Sequence, residues 1–364
     1  MTHAHPVDAH GITPAYLTGL MAEVIPGASV EAVEIVDAKT YGEQMVSTAG
    51  RAILDLRYGA GTPADVPQQV VLKLPRGVDT IMAPFYRNEV AFYRRIRPEL
   101  SIEAPRCFGG DFDPDTTRFG LLLEDLTKRG ARFPNVTQPI TPVIVRSVLD
   151  TLAAVHARYW ESPRFGTDLS WVEGHVGGGV AELMNGAAPI IIQQEIDNEN
   201  FKREMVQRLR TTGPELLAGV QAVQRHQATL PCTLLHGDTH LGNTYLLPDG
   251  TGGLLDWQLM VHGHHMHDVN YLITTSLSIG DRRTHERELL RYYLDRLHAE
   301  GVAAPPSFDQ AWDEYRLALV WGVYIGWLTT PVVNYGWEIN VLNHLRLTTA
   351  FEDHDTGQRV AKLV

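Results

Sequence analysis

The chain has 364 residues, 44% of them hydrophobic and 20% charged, with a formal net charge of -12. That is the composition of an ordinary globular protein, long enough for two domains or one large bilobal unit. The acidity argues against a nucleic-acid substrate, because phosphate backbones are met by clustered Lys and Arg. The acidity is evenly spread: 11 basic and 17 acidic residues precede a cut after Leu126, and 20 and 26 follow it. It therefore singles out no cationic substrate. Two thiols, Cys107 and Cys232, in so long a chain suggest a reducing cytosol rather than a disulfide framework. The segment Met1 to Pro6 lacks a basic stretch followed by an apolar one, so no signal peptide is expected. The longest apolar run, Leu317 to Leu328, is too short to span a bilayer. The expectation is a soluble, cytoplasmic protein that engages no membrane.

In chain order, Leu17, Leu20, Met21 and Val24 recur at helical spacing and predict a helix over residues 13–24. Strand-like runs follow at Ser29 to Val36, Arg51 to Tyr58 and Gln69 to Leu74. Residues 84–97 read as a helix ending before Pro98. Two more strands, Cys107 to Phe112 and Arg118 to Leu123, flank the turn Asp113-Pro114-Asp115. This is a small mixed lobe rich in antiparallel hairpins. From about Thr127 the pattern changes to long helices, interrupted only by one hairpin, which places a lobe boundary near Glu124 to Lys128. The predicted division is residues 1–126 and 127–364.

That hairpin carries the chemistry. Leu235-His236-Gly237-Asp238-Thr239-His240-Leu241-Gly242-Asn243 is followed by Leu254-Leu255-Asp256-Trp257-Gln258. Between Asn243 and Asp256, two short apolar runs flank Pro248-Asp249-Gly250-Thr251-Gly252-Gly253, residues suited to a tight reversal. A hairpin there sets Asn243 beside Asp256 at its open end, with Asp238 on the preceding loop. Two oxygen ligands with a carboxylate nearby suit Mg²⁺, a phosphate and a general base.

H-G-D-x-H-x-x-N followed by D-W-Q resembles the aminoglycoside phosphotransferase and choline kinase superfamily, small-molecule relatives of the protein kinases. The wording is most similar to the ecdysteroid-kinase-like branch, in which D-F-Q or D-W-Q replaces D-F-G. There a later Asp precedes a helix, as Asp268-Val269-Asn270-Tyr271-Leu272 does here. The resemblance runs from about Lys39 to Tyr293. It implies an α+β, bilobal protein-kinase-like fold: a small, mainly antiparallel nucleotide-binding lobe ending in a hinge, then a helical catalytic and substrate lobe. It also implies ATP and Mg²⁺ as cofactors, Asp238 as general base, Asn243 and Asp256 as metal ligands, and Asp268 as a brace for the catalytic loop.

Other residues fall into the same scheme. Lys73 sits mid-strand, with Val70, Leu72 and Leu74 on the opposite face. Glu89 begins the stripe Glu89, Phe92, Tyr93, Ile96, so an inward-facing carboxylate needs a cationic partner. A structural ion pair would satisfy both residues. The resemblance assigns Lys73 to the α- and β-phosphates and Glu89 to its positioning. The loop Lys39 to Thr48 is the candidate phosphate cover, with Ser47 as its side-chain contact; its single Gly42 departs from the Gly-rich loop of protein kinases. Leu121-Leu122-Leu123-Glu124-Asp125-Leu126 resembles the family's hinge, whose backbone groups, at Glu124 and Leu126, would receive adenine.

His236 and His240 flank Asp238, and His262, His264, His265 and His267 follow, so a His-bound metal hydrolase is a rival reading. The ligand spacing of such enzymes is absent, and the downstream histidines read as solvated loop residues. His156 lies on the apolar stripe Val145, Val148, Leu149, Leu152, Val155, Tyr159 and reads as a satisfied core residue. Tyr315, Trp321, Tyr324, Trp327, Tyr335 and Trp337 concentrate aromatics, mostly as core, with an apolar acceptor wall as the functional reading. The function expected is phosphorylation of a hydroxyl on a small-molecule alcohol, an apolar one being compatible with those aromatics. The main rival is a catalytically silent, ATP-binding pseudokinase.

Overall fold

The computed structural model describes residues 5–39, 49–75 and 81–364. Two compact units result: one comprises residues up to Leu100 with Ala104–Ala131, the other Ser101–Glu103 with Arg132–Val364.

The first unit is a five-stranded sheet with two principal helices. Thr13 caps α1 (Pro14–Met21) by accepting from the Tyr16 N–H, with Pro14 at the first helical position. The strands are β1 (Val30–Lys39), β2 (Gly50–Tyr58) and β3 (Gln69–Leu74); then come α2 (Ala83–Ala91), β4 (Cys107–Asp113) and β5 (Arg118–Glu124). The order is β1-β2-β3-β5-β4, all antiparallel. Alternation in β2 and β3 sends Ala52, Leu54, Val70 and Leu72 into one core with Leu17 and Met21 of α1. Each such fully buried Leu, Val or Met contributes roughly 1.5–3 kcal/mol over its exposed state. Lys73 is left on the opposite face. The single helix expected over 84–97 is instead three pieces. After α2 the turns widen over Phe92–Ile96 and tighten over Arg97–Glu99, because Pro98 supplies no N–H to continue an α-helix.

The second unit is helical. Its elements are α3 (Pro142–Arg158), α4 (Gly179–Gly186), α5 (Ala188–Asn198), α6 (Asn200–Arg208), α7 (Gly213–Gln227), β6 (Thr233–Leu235), β7 (Thr244–Leu246), β8 (Gly252–Leu254) and β9 (Val261–Gly263). Helices α8 (Met266–Ser276), α9 (Ile279–Ala299), α10 (Phe308–Trp321), α11 (Val332–Tyr335), α12 (Trp337–Asp353) and α13 (Thr356–Val360) complete it. Its core joins Val220 and Val223 of α7, Tyr271 of α8, Leu319 of α10 and Leu347 of α12. Two minimal ladders complete this unit, β6 with β9 and β7 with β8, and every residue of β6, β7 and β8 is buried. Among the described residues no helix is long and apolar enough to cross a membrane.

Candidate active site

The β7–β8 ladder pairs Thr244 with Leu254, Tyr245 with Gly253 and Leu246 with Gly252. One step further out the Leu255 N–H donates to the Asn243 carbonyl at 3.0 Å. Asn243 and Asp256 therefore emerge at the open end of the hairpin, as its turn chemistry implies. The segment 101–103 clamps the ladder: the Tyr245 hydroxyl donates to the Glu103 carboxylate at 2.6 Å, and the Leu254 N–H to the Glu103 carbonyl at 3.3 Å. Nothing in the local sequence signals that clamp.

Strand β6 runs into the loop bearing Asp238. Gly237 has φ +84, and a Cβ there would lie 2.0 Å from the Leu259 carbonyl oxygen, so only glycine fits. Asp268, in the first turn of α8, holds the loop by its backbone. Its carboxylate accepts from the His236 N–H at 2.7 Å and the Gly237 N–H at 2.9 Å, and its carbonyl accepts from the Thr239 hydroxyl at 2.7 Å. Burial alone would raise the Asp268 pKa; the hydrogen bond from His156 and neighbouring imidazoles outweigh it and hold it near 2. The His267 Nε2 bonds the Gly237 carbonyl at 3.0 Å.

His236 has both nitrogens engaged. Nδ1 accepts the Asp238 N–H at 3.2 Å, which requires the proton on Nε2, and Nε2 meets the Leu255 carbonyl at 2.9 Å. Burial pushes its pKa down, in agreement with a neutral ring. Neither nitrogen is left for a metal. His240 accepts the Gly242 N–H on Nδ1 at 3.0 Å and turns Nε2 toward Asp238 at 3.8 Å.

Asp238 itself is 16% exposed. The Asn243 amide donates to its Oδ2 at 3.0 Å and to its backbone carbonyl at 2.8 Å. Burial raises its pKa to about 6; His240 and the Asn243 bond oppose the rise, and the charges of Asp256 and Asp268 add to it. With its NH₂ committed to Asp238, Asn243 has its amide oxygen left to offer a cation. Asp256 adopts the left-handed conformation, φ 66 and ψ 62, at the start of the turn Trp257–Leu259, a backbone state Asp tolerates better than most residues. An amide oxygen and a carboxylate are the hard donors Mg²⁺ takes, so the donor set fits that ion.

In the first unit, the Lys73 ammonium on β3 meets both carboxylate oxygens of Glu89 on α2, at 2.7 and 2.6 Å. Their side chains are 17% and 2% exposed, so the charge is partly open on the lysine side only. The Glu124 N–H donates to the Arg106 carbonyl at 2.9 Å and its carboxylate accepts from the Arg106 N–H at 3.2 Å. The Leu126 carbonyl accepts from the Ala131 N–H at 3.2 Å. Both residues predicted to receive adenine thus already use backbone groups internally. Ser47 and most of its loop lie outside the described residues.

One sequence expectation here needs correction. His264, His265 and His267 are not solvated: their residues are 5, 0 and 5% exposed, packed beneath the catalytic loop at the start of α8. A neutral imidazole can be satisfied there, and burial lowers the pKa of all three. Of the aromatics, Tyr315, Trp321 and Tyr324 are core, whereas Trp337 is 58% exposed. Trp327 and Tyr335 approach the loop, with ring centroids 5.7 and 6.3 Å from His240, and Tyr271 lies at 6.2 Å. His156 is the satisfied core histidine expected, and it also contacts Asp268.

Against known families, the model of the ecdysteroid kinase-like family matches residues 42–301, well over half of the chain. The chain belongs to the ecdysteroid kinase-like family. Its α+β architecture is protein-kinase-like and is similar to two solved structures. One is a choline kinase from Cryptosporidium parvum Iowa II (TM-score 0.53, 11% identity, covering 95% of each chain). The other is an ethanolamine kinase from Plasmodium vivax (TM-score 0.54, 11% identity, covering 93% of this chain and 89% of that one). At such identities the likeness concerns the fold. No curated protein matches the chain by sequence.

Proposed function

We propose that this member of the family transfers the γ-phosphoryl group of ATP, with Mg²⁺, to a hydroxyl of a small molecule, with Asp238 as general base. The observation that carries the reading is Asp238 itself: a partly exposed carboxylate, oriented by Asn243 at 3.0 Å, on a loop whose backbone is pinned from beneath by Asp268. A pKa of about 6 keeps it mostly ionised at neutral pH yet basic enough to take a proton. Asn243 and Asp256 would hold Mg²⁺, which when bound supplies charge neutralisation on the transferred phosphoryl group. Lys73, steered by Glu89, orients the α- and β-phosphates. In this reading residues 1–126 serve the nucleotide, with Glu124 and Leu126 at the adenine and Ser47 at the phosphates. Residues 127–364 carry the base and the acceptor. The acceptor proton passes to Asp238 Oδ1 or Oδ2 as the oxygen attacks phosphorus and the ADP oxygen leaves.

Asp238→Asn is the test. Turnover should fall by about 10²–10⁴-fold while ATP·Mg²⁺ binding, measured by calorimetry, persists. Wild-type protein that binds ATP yet consumes none across sterols, sugars, choline-like amines and aminoglycosides would sink the reading and favour a silent nucleotide-binding protein.

A further inference from the structure

The residues Ser101–Glu103 belong to the second compact unit, although the chain on both sides of them, up to Leu100 and from Ala104, belongs to the first. Arg97 closes the stems of that excursion. Its Nη1 donates to the Leu100 carbonyl at 2.9 Å and its Nη2 to the Ala104 carbonyl at 3.3 Å. Leu100 and Ala104 are both buried. A planar guanidinium that bridges two carbonyls fixes their separation, so Glu103 is presented from a closed loop.

Glu103 grips both strands of the catalytic hairpin. Its carboxylate accepts from the Tyr245 hydroxyl of β7 at 2.6 Å, and its carbonyl accepts from the Leu254 N–H of β8 at 3.3 Å. Tyr245 is fully buried. Its ring crosses β8 at Gly253, where a Cβ would lie 2.2 Å from the ring carbon that carries the hydroxyl. Only a residue without a side chain lets that hydroxyl pass to Glu103. Tyr245 lies two residues after Asn243, and Leu254 two before Asp256. One residue therefore fastens both arms directly behind the two residues assigned to the metal. The turn end is held separately by α3, where the Ser147 hydroxyl donates to the Gly250 carbonyl at 2.6 Å and the Thr151 hydroxyl to the Gly252 carbonyl at 2.7 Å.

We propose that Glu103 is a positioning residue for the metal centre, setting the separation of Asn243 and Asp256 through Tyr245 and Leu254, and that Arg97 keeps it in place. This role rests on Asn243 and Asp256 being the metal ligands. A group behind a ligand acts by narrowing the positions the ligand visits, so that less ordering remains to be done when the ion binds. Partners bonded directly to a ligand contribute roughly 10–100-fold in metal affinity. Glu103 stands two residues back from each ligand, so its share is smaller.

The test is titration of the full chain with Mn²⁺ at saturating ADP, followed by the ion's electron paramagnetic resonance signal, beside thermal unfolding of each variant without metal. Tyr245→Phe removes one hydroxyl and Glu103→Ala removes its acceptor; each should weaken Mn²⁺ binding about three- to tenfold. Glu103→Gln keeps an oxygen for the Tyr245 hydroxyl and should bind within about twofold of wild type. Arg97→Gln cannot bridge both stems and should weaken binding about twofold or more. Ser147→Ala deletes a hydrogen bond at the turn end and should lower the melting midpoint with Mn²⁺ affinity unchanged. A purely structural clamp would lower the melting midpoints of Tyr245→Phe and Glu103→Ala and leave their Mn²⁺ affinity at the wild-type value. That result overturns the role, as does a loss in Ser147→Ala equal to that in Tyr245→Phe, or a Glu103→Gln variant as weak as Glu103→Ala. Unchanged affinity in Arg97→Gln overturns the part given to the stems. Asp256→Ala tells the two readings apart. If it binds Mn²⁺ no worse than wild type, the metal assignment fails and the positioning role with it; if it loses Mn²⁺ while Tyr245→Phe does not, the positioning role alone fails.

Discussion

Asp268→Asn removes one charge and almost no volume, which makes it a sharp probe of how the catalytic loop is held. In the native protein Oδ1 serves the Gly237 N–H and Oδ2 serves both the His236 N–H and His156. An asparagine can satisfy one side only. With its oxygen toward His236 and His156, its NH₂ confronts the Gly237 N–H, donor against donor. The loss is then a charge-assisted bond, about 1.5–3 kcal/mol, plus an orphaned buried donor, about 1–3 kcal/mol. The sum, roughly 2.5–6 kcal/mol, brackets the usual cost, about 3–5 kcal/mol, of stripping one partner from a buried ion pair. For a unit of this size that lowers the melting midpoint by roughly 6–20 °C. The assay is urea and thermal unfolding followed by fluorescence, since Trp257 and Trp321 are buried in the same unit. The acid limb gives an independent check. A carboxylate held near 2 when folded contributes stability that is present above its unfolded pKa of about 3.9 and is lost as pH falls through 2. The wild type should therefore lose stability between about pH 4 and 2, and Asp268→Asn should lose less over that window. A variant within about 1 kcal/mol of wild type, with the same acid slope, would refute the bracing argument.

Three further outcomes follow from the same geometry. If Asp238 is the base, log kcat/KM should climb with unit slope below pH about 6 and level above it, because the raised pKa must be crossed before the proton can be accepted; a flat profile from pH 5 to 8 would exclude that role. Glu89→Gln should raise the KM for ATP and destabilise the first unit by up to about 3–5 kcal/mol, read by nucleotide titration and unfolding, since Lys73 then loses its anionic partner and one of its two short contacts. Gly237→Ala should abolish activity and unfold several degrees lower by differential scanning, because its Cβ would meet the Leu259 carbonyl at 2.0 Å; normal activity would contradict the loop geometry.

Much of the first unit was legible because two periodicities intersect. Alternation put Lys73 opposite Val70 and Leu72, and the helical stripe turned Glu89 inward, so a buried acid and a half-buried ammonium had reason to meet. The hairpin was legible for a similar reason: Pro248 to Gly253 leaves few registers, and the observed one carries Asn243 and Asp256 to its open end. Local pattern fails where burial is decided by distant chain. His264, His265 and His267 look like a polar loop, yet all three are buried, and His267 reaches the Gly237 carbonyl of the catalytic loop. The Glu103–Tyr245 clamp joins residues 142 positions apart, and no window of sequence contains it.

The misread histidines matter most, because they change what kind of loop Asp238 sits on. A catalytic base on a solvated loop would be positioned by its own turn and by substrate. Here the backbone N–H groups of His236 and Gly237 end on one carboxylate, which ends on His156, Tyr293 and His265. Each member of that chain except the last has its polar atoms matched, and an unmatched donor anywhere along it costs about 1–3 kcal/mol. The position of Asp238 therefore depends on a buried hydrogen-bond chain that runs from the loop through Asp268 and His156 to Tyr293. A site built this way is stiff toward small motions, because buried groups and not the loop's own turn hold its backbone.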